Sequence, residues 1–136
     1  MIILVKDLEM LQKYVEEIPD SVFDILTNTK RPTTIIYSKA CNLAPNLIAE
    51  DGSIAIRIPN HDFCQKLLQE WQKPLVSTSA NISGEPTPIH FKEISEEVKN
   101  QVDCIVDSTI FDMQTPTQPS RILKISEDGK ILVIRE

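Results

Sequence analysis

The side chains best suited to chemistry lie in residues 73–88, Lys-Pro-Leu-Val-Ser-Thr-Ser-Ala-Asn-Ile-Ser-Gly-Glu-Pro-Thr-Pro. A short apolar strand at Leu75-Val76 runs into Ser77, Thr78, Ser79, Asn81, Ser83 and Gly84 before Pro86 and Pro88 stop regular structure. Hydroxyls, a carboxamide and bare backbone N–H groups at a strand end can cradle an anionic or multiply polar ligand. If 77–81 stay extended, Ser77, Ser79 and Asn81 point to one side together. The competing reading is a polar turn closed by Gly84. Arg57 is the second candidate: in Ser53–Ile58, residues 54, 56 and 58 are isoleucine, while Ser53, Ala55 and Arg57 face the other way. A guanidinium above a small alanine presents a planar fork to a carboxylate or phosphate. On an open sheet face it is only solvated.

Other chemistries find no support. Two histidines, His61 and His90, stand without clustered carboxylates or thiols, so the pattern predicts no protein-built metal site and no Ser-His-Asp triad. Three glycines are too few for a P-loop or a dinucleotide fingerprint. Cys41, Cys64 and Cys104 are odd in number and none is within CxxC distance of another, which predicts free, mostly buried thiols in a reducing cytosol.

The elements that must position these residues follow from periodicity. Ile2–Val5 reads as a strand. Asp7 caps a helix carrying Leu8, Leu11, Val15 and Ile18 on one face, and Pro19 breaks it and opens a second with Val22, Phe23, Ile25 and Leu26. Thr33–Tyr37 is β-branched and aromatic, hence a strand. After a polar connection over 38–52 and the Ser53–Ile58 strand, Asn60 caps a helix with Phe63, Cys64, Leu67, Leu68 and Trp71 on its apolar side. Phe91, Ile94 and Val98 suggest a short helix, Cys104-Ile105-Val106 a strand, and 108–118 a mobile loop. Ser120–Ile125 and Lys130–Arg135 form a terminal hairpin about Glu127-Asp128-Gly129. The fold class is α/β: one domain with a mixed, twisted sheet flanked by helices. With 136 residues, 41% apolar and 25% charged, the composition is that of an ordinary globular domain. No apolar run nears the roughly 20 residues that cross a bilayer, and no secretory signal is visible, so a cytoplasmic location is expected. The net charge of −6 argues against a phosphate-gripping nucleic-acid binder, although a local basic groove is compatible with it.

The run Leu-Val-Ser-Thr-Ser-Ala-Asn-Ile-Ser-Gly is similar to the signature of the YrdC-type L-threonylcarbamoyladenylate synthases. Four further segments fit that family in order: Arg31–Tyr37, Ser53–His61, Pro119–Ile122 and Leu132–Arg135. The resemblance runs from Met1 to Glu136, a YrdC-like domain over 1–136 that is partial. Family members normally begin with Pro-Thr-Asp-Thr-x-Tyr-Gly, a helix and a Lys-x-Arg motif. Nothing here matches those, and Lys30-Arg31 stand where the family usually has Pro-Gly. The chain thus resembles the later two-thirds of the enzyme, N-terminally truncated relative to the family, and Met1 is either its true start or an internal methionine.

The resemblance implies synthesis of threonylcarbamoyl-AMP from L-threonine, bicarbonate and ATP, with magnesium on the phosphates, for modification of tRNA adenosine 37. It implies nucleotide contacts at Ser53, Ser79, Asn81, Thr87 and Arg135, threonine contacts at Arg57, Ser77 and Ser120, and no catalytic protein nucleophile. Thr34 matches the threonine that closes the family's Pro-x-Thr strand. Arg121 stands where threonine is usual after Ser120. The implied partners are the threonylcarbamoyl transferase machinery downstream and tRNA or double-stranded RNA. Without the first strand and helix an apolar sheet edge or face is expected to drive self-association, with Ile2–Val5 near the contact. Two rival readings stay open: a non-catalytic nucleotide- or double-stranded-RNA-binding module, and a carbamoyl-adenylate domain of the kind fused in hydrogenase maturation proteins.

Overall fold

The computed structural model describes residues 1–107, 119–126 and 128–136. They fall into two compact units, one drawn from 1–77 with 119–126 and 128–136 and one from 78–107. The first holds a six-stranded mixed sheet. Its strands are β1 (Ile2–Leu4), β2 (Thr33–Tyr37), β3 (Ile54–Arg57), β4 (Leu75–Ser77), β5 (Arg121–Ile125) and β6 (Ile131–Arg135), in the order β4-β1-β3-β2-β5-β6. β1 runs parallel to β3, and β2 parallel to β5. The remaining neighbours are antiparallel. The α/β class with a mixed sheet and flanking helices is therefore the one observed.

The alternation of β3 sets the core. Ile54 and Ile56 are buried, Ala55 and Arg57 half-buried. Facing them across the ladders are Ile35, paired with Ile56, and Tyr37, paired with Ile54. Ile3, Val5, Leu11, Val22 and Ile125 complete the same apolar cluster. Burial of its ring pushes the Tyr37 phenol well above its ordinary range. Helix α2 (Asp20–Asn28) starts after Pro19 as the sequence predicts.

Several expectations need correction. Helix α1 is only Leu8–Leu11, with the Asp7 carboxylate accepting from the Met10 N–H at 2.9 Å. Val15 instead bridges Ala40, and the backbones of residues 14–16 and 39–41 exchange hydrogen bonds. Val15 is still buried and Ile18 still packs on the core, so a helical spacing was satisfied by an extended segment. Helix α3 (Asp62–Trp71) has His61, not Asn60, at its N-cap. Cys104-Ile105-Val106 forms no strand, and Ile105 and Val106 lie exposed. The thiols are free but not mostly buried: Cys41 and Cys64 are half-buried and Cys104 exposed.

The loop expected over 108–118 and Glu127 lie outside the described residues. The rest of the hairpin turn is as read: Gly129 has φ +79°, and Ser126 and Lys130 close it. In the second unit, a 3-10 turn at Phe91–Glu93 precedes α4 (Glu96–Gln101), whose Ser95 cap accepts from the Val98 N–H at 3.3 Å. The single helix expected around Phe91, Ile94 and Val98 is thus two short pieces.

The edges of the sheet are β4 and β6, not β1. Ile3 is 1% exposed and Val5 fully buried, so β1 itself presents no open edge. β6 is exposed along its whole length.

Candidate functional site

The first unit brings together Thr34, Ser120 and Arg135. β2 and β5 are parallel neighbours, with Thr34 opposite Ile122, and this carries residues 34 and 120 to one end of the pair. The two hydroxyls share a hydrogen bond of 2.9 Å, with Thr34 fully buried and Ser120 4% exposed. Arg135 closes over the same point from β6. Its Nε and Nη2 donate to the Ser120 carbonyl at 3.2 and 2.7 Å. Two of its five N–H groups are thereby committed to backbone. Ser120 is committed inward through both its hydroxyl and its carbonyl.

Ser53 is similarly tied. Its hydroxyl donates to the Asp51 carboxylate at 2.5 Å, and its N–H does so at 3.1 Å. Lys124 reaches the other Asp51 oxygen at 3.1 Å. These donors hold the Asp51 carboxyl down at about 2, the Ser53 hydroxyl contributing most. Sequence reasoning missed Asp51, which lies in the polar connection over 38–52. The signal was there in Asp-Gly-Ser, an aspartate that accepts from the backbone two residues on.

Arg57 sits half-buried at the end of β3, opposite Leu4. Its Nε is shielded from solvent with no hydrogen-bond partner among the described residues. An unpaired guanidinium N–H is costly in a folded chain. Its charge lies close enough to Cys64 to oppose the burial that pushes that thiol up. Ser77 ends β4, half-buried, opposite Ile2.

In the second unit the signature continues as a turn, not an extended strand. Residues 80 and 81 bend, so the common orientation expected for Ser77, Ser79 and Asn81 along one strand is not formed. The Glu85 N–H returns to the Ile82 carbonyl at 3.0 Å, and Gly84 takes φ +90°, where a side chain would be strained. Asn81 fastens this turn: its Nδ2 donates to the carbonyls of Ile82 (2.9 Å) and Glu85 (3.0 Å). Ser79 and Thr87 are exposed on either side. Among the described residues no group of three or more histidine, cysteine, aspartate or glutamate side chains could hold a metal ion.

The first unit is thus a mixed α/β sheet with Arg57 at a strand end, and the second carries the Ser79-x-Asn81 turn. The Sua5/YciO/YrdC family model, described as telomere recombination, matches residues 1–136. The chain belongs to that family. A threonylcarbamoyl-AMP synthase of Pseudoalteromonas translucida is 34% identical over 134 residues, covering 96% of this chain and 70% of the relative. A relative from Methanocaldococcus jannaschii is 37% identical over 136 residues, 98% of this chain and 60% of that one. The crystal structure of P. abyssi Sua5 complexed with L-threonine superposes with a TM-score of 0.74 at 26% identity, over 93% of this chain and 36% of that one. The chain thus spans from about a third to about two-thirds of the length of these proteins.

Proposed function

We propose that this chain is the ligand-handling part of a threonylcarbamoyl-AMP synthase. The observation that carries the reading is the family match across all of residues 1–136, joined to a relative of that name at 34% identity. Support for a threonine site comes from the Sua5 structure that holds L-threonine.

The chemistry asks little covalent work of a protein. The threonine nitrogen takes up bicarbonate with loss of water. The resulting N-carboxylate oxygen attacks the α-phosphorus of ATP, and the bond to the β-phosphate breaks, releasing pyrophosphate. Magnesium arrives with the ATP as part of the substrate. What the protein supplies is position and charge compensation, which do most of the catalytic work in phosphoryl transfer.

Arg57 suits the threonine carboxylate: its guanidinium has an unpaired donor and stands at a strand end. Ser77 is its companion on the threonine side. Ser79, Asn81 and Thr87 serve the nucleotide from the turn of the second unit. Ser53 and Arg135 also serve the nucleotide and Ser120 the threonine, Arg135 through its uncommitted N–H groups. Their internal bonds give them a second task, holding the ends of β3, β5 and β6.

The test is pyrophosphate release from ATP by the 136-residue chain, measured with and without L-threonine and bicarbonate. Release that depends on both supports the reading. Saturable ATP binding without release in any mixture favours a nucleotide-binding module instead. With Arg57 and Arg135 as the cations of the site on a chain of net charge −6, turnover by this chain alone is expected to be slow.

A further inference from the structure

β1 and β3 are parallel neighbours, so both end at the same edge of the sheet, and ligands of open α/β sheets lie outside such carboxyl ends. The ladder stops with Leu4 opposite Arg57 and with the Val5 N–H donating to the Arg57 carbonyl at 3.1 Å. Beyond that bond the two chains part, one toward α1 and the other toward α3. Gln65, near the start of α3, spans the gap. Its Nε2 donates to the Lys6 carbonyl at 3.1 Å and to the Pro59 carbonyl at 2.7 Å. Carbonyls only accept, so the NH2 must be the end that faces them, and both of its N–H bonds are spent there. One half-buried side chain thus ties the exit of β1 to the exit of β3. The residue before it, Cys64, lies close enough to Arg57 to feel the guanidinium charge. The start of α3 therefore meets Arg57 twice, through its side chain and through the backbone on either side of it.

We propose that Gln65 is a positioning residue for Arg57, a clamp on the carboxyl ends of β1 and β3 that holds the guanidinium in place for the threonine carboxylate. This rests on the proposed synthase reading, which puts L-threonine at Arg57, and adds to it a residue that touches no substrate. Arg57 needs such help. Its Nε has no hydrogen-bond partner among the described residues, so the placement of a long, flexible side chain rests on the backbone that carries it. Arg57 is also the last residue of its strand, where ladder bonds give out. A primary amide suits the task, because its two donors sit on one rigid group and fix both exits at once. A hydroxyl, with a single donor, could hold only one of them. Small displacements of a binding group are enough to cost much of its effect.

The test compares the 136-residue chain with Gln65→Met, which keeps the length and removes both donors, and with Gln65→Glu, which keeps the shape and at neutral pH only accepts. Calorimetry should find L-threonine bound about tenfold more weakly by either variant, with ATP affinity within about twofold of native. On an Arg57→Ala background, Gln65→Met should make no further difference to L-threonine, because a clamp that acts through Arg57 has nothing left to place. A second measurement needs no ligand. The Arg57 Nε–H is shielded from solvent, so the native chain should show it as a nuclear magnetic resonance signal protected from exchange, identified by its loss in Arg57→Ala. Both Gln65 variants should lose that protection while still unfolding in urea with one cooperative transition. Equal losses for L-threonine and ATP, a further loss on the Arg57→Ala background, or a protected Nε–H in both variants overturns the assignment. So does loss of the cooperative transition in both, which would make Gln65 a brace of the whole fold. If the native chain binds neither L-threonine nor ATP, the synthase reading fails, and the Arg57 signal still decides whether Gln65 positions that side chain.

Discussion

Thr34→Val is the sharpest test of the buried polar contact that joins β2 to the start of β5. Valine keeps the shape and the β-branching and deletes only the hydroxyl. Thr34 is fully buried and Ser120 is 4% exposed, so the hydroxyl of Ser120 loses its 2.9 Å partner where little water can replace it. A buried polar group stranded in this way costs about 1–3 kcal/mol. Against the roughly 5–15 kcal/mol that holds a domain together, this is a large fraction. With a urea slope of about 1–3 kcal/mol/M, a loss near 2 kcal/mol lowers the midpoint by about 1 M. Ser120→Ala should cost a similar amount by stranding Thr34. The double variant removes both hydroxyls and should be more stable than the sum of the singles predicts, by about 1 kcal/mol. Urea unfolding followed by circular dichroism measures all four proteins. Singles within about 0.5 kcal/mol of the native chain, or strictly additive singles, would refute the reasoning and return Ser120 to a purely ligand-facing role.

Arg57→Ala should weaken L-threonine binding by about tenfold or more, as expected for a charge-assisted bond to a carboxylate, and calorimetry that finds no change would leave Arg57 merely solvated. Asp51 makes a prediction in pH. Its carboxyl lies at about 2 in the fold against an ordinary 3.8, so the folded chain binds fewer protons between those values than the unfolded one. The associated stability is complete above about pH 4 and lost as pH falls through about 2. Asp51→Asn should flatten that stretch of the stability profile, and an unchanged slope would mean the Ser53 and Lys124 contacts do not persist in solution. Self-association is expected through β6, where Leu132, Val133 and Ile134 are 52%, 56% and 55% exposed on an edge strand. Val133→Lys should give a monomer in light scattering at concentrations where the native chain associates, and equal behaviour of the two would remove β6 from the contact.

Strands carried by strict alternation or by β-branched runs were legible in the sequence almost to the residue. Thr33–Tyr37 forms as read, and Ser53–Ile58 loses only its two ends. Local rules suffice there, because a period of two decides which side chains face the core whatever the neighbouring strands are. The same holds for the Asp7 cap and the helix start after Pro19. Spacing alone misled at Val15 and Ile18. Both pack on the core as a helix would have them, but the hydrogen bonds of residues 14–16 went to residues 39–41, a pairing across some 25 positions that no local window contains. Cys104-Ile105-Val106 failed for the converse reason: among the described residues it has no partner strand, and β-propensity alone makes no ladder.

For the candidate site, the sequence determined the residue types and the family, and the fold decided their commitments. Ser53, Ser120, Asn81 and Arg135 were legible as polar groups in a ligand motif. Ser53 is held by Asp51 and the Asn81 amide by its own turn through local bonds, whereas only a tertiary contact revealed that Ser120 is held by Thr34. A polar side chain has several donors and acceptors, and which of them stay free depends on what folding brings within about 3 Å. That proximity is set by strand order and turn geometry. Thr34 and Ser120, 86 residues apart in the chain, meet because β2 and β5 are neighbours in the sheet.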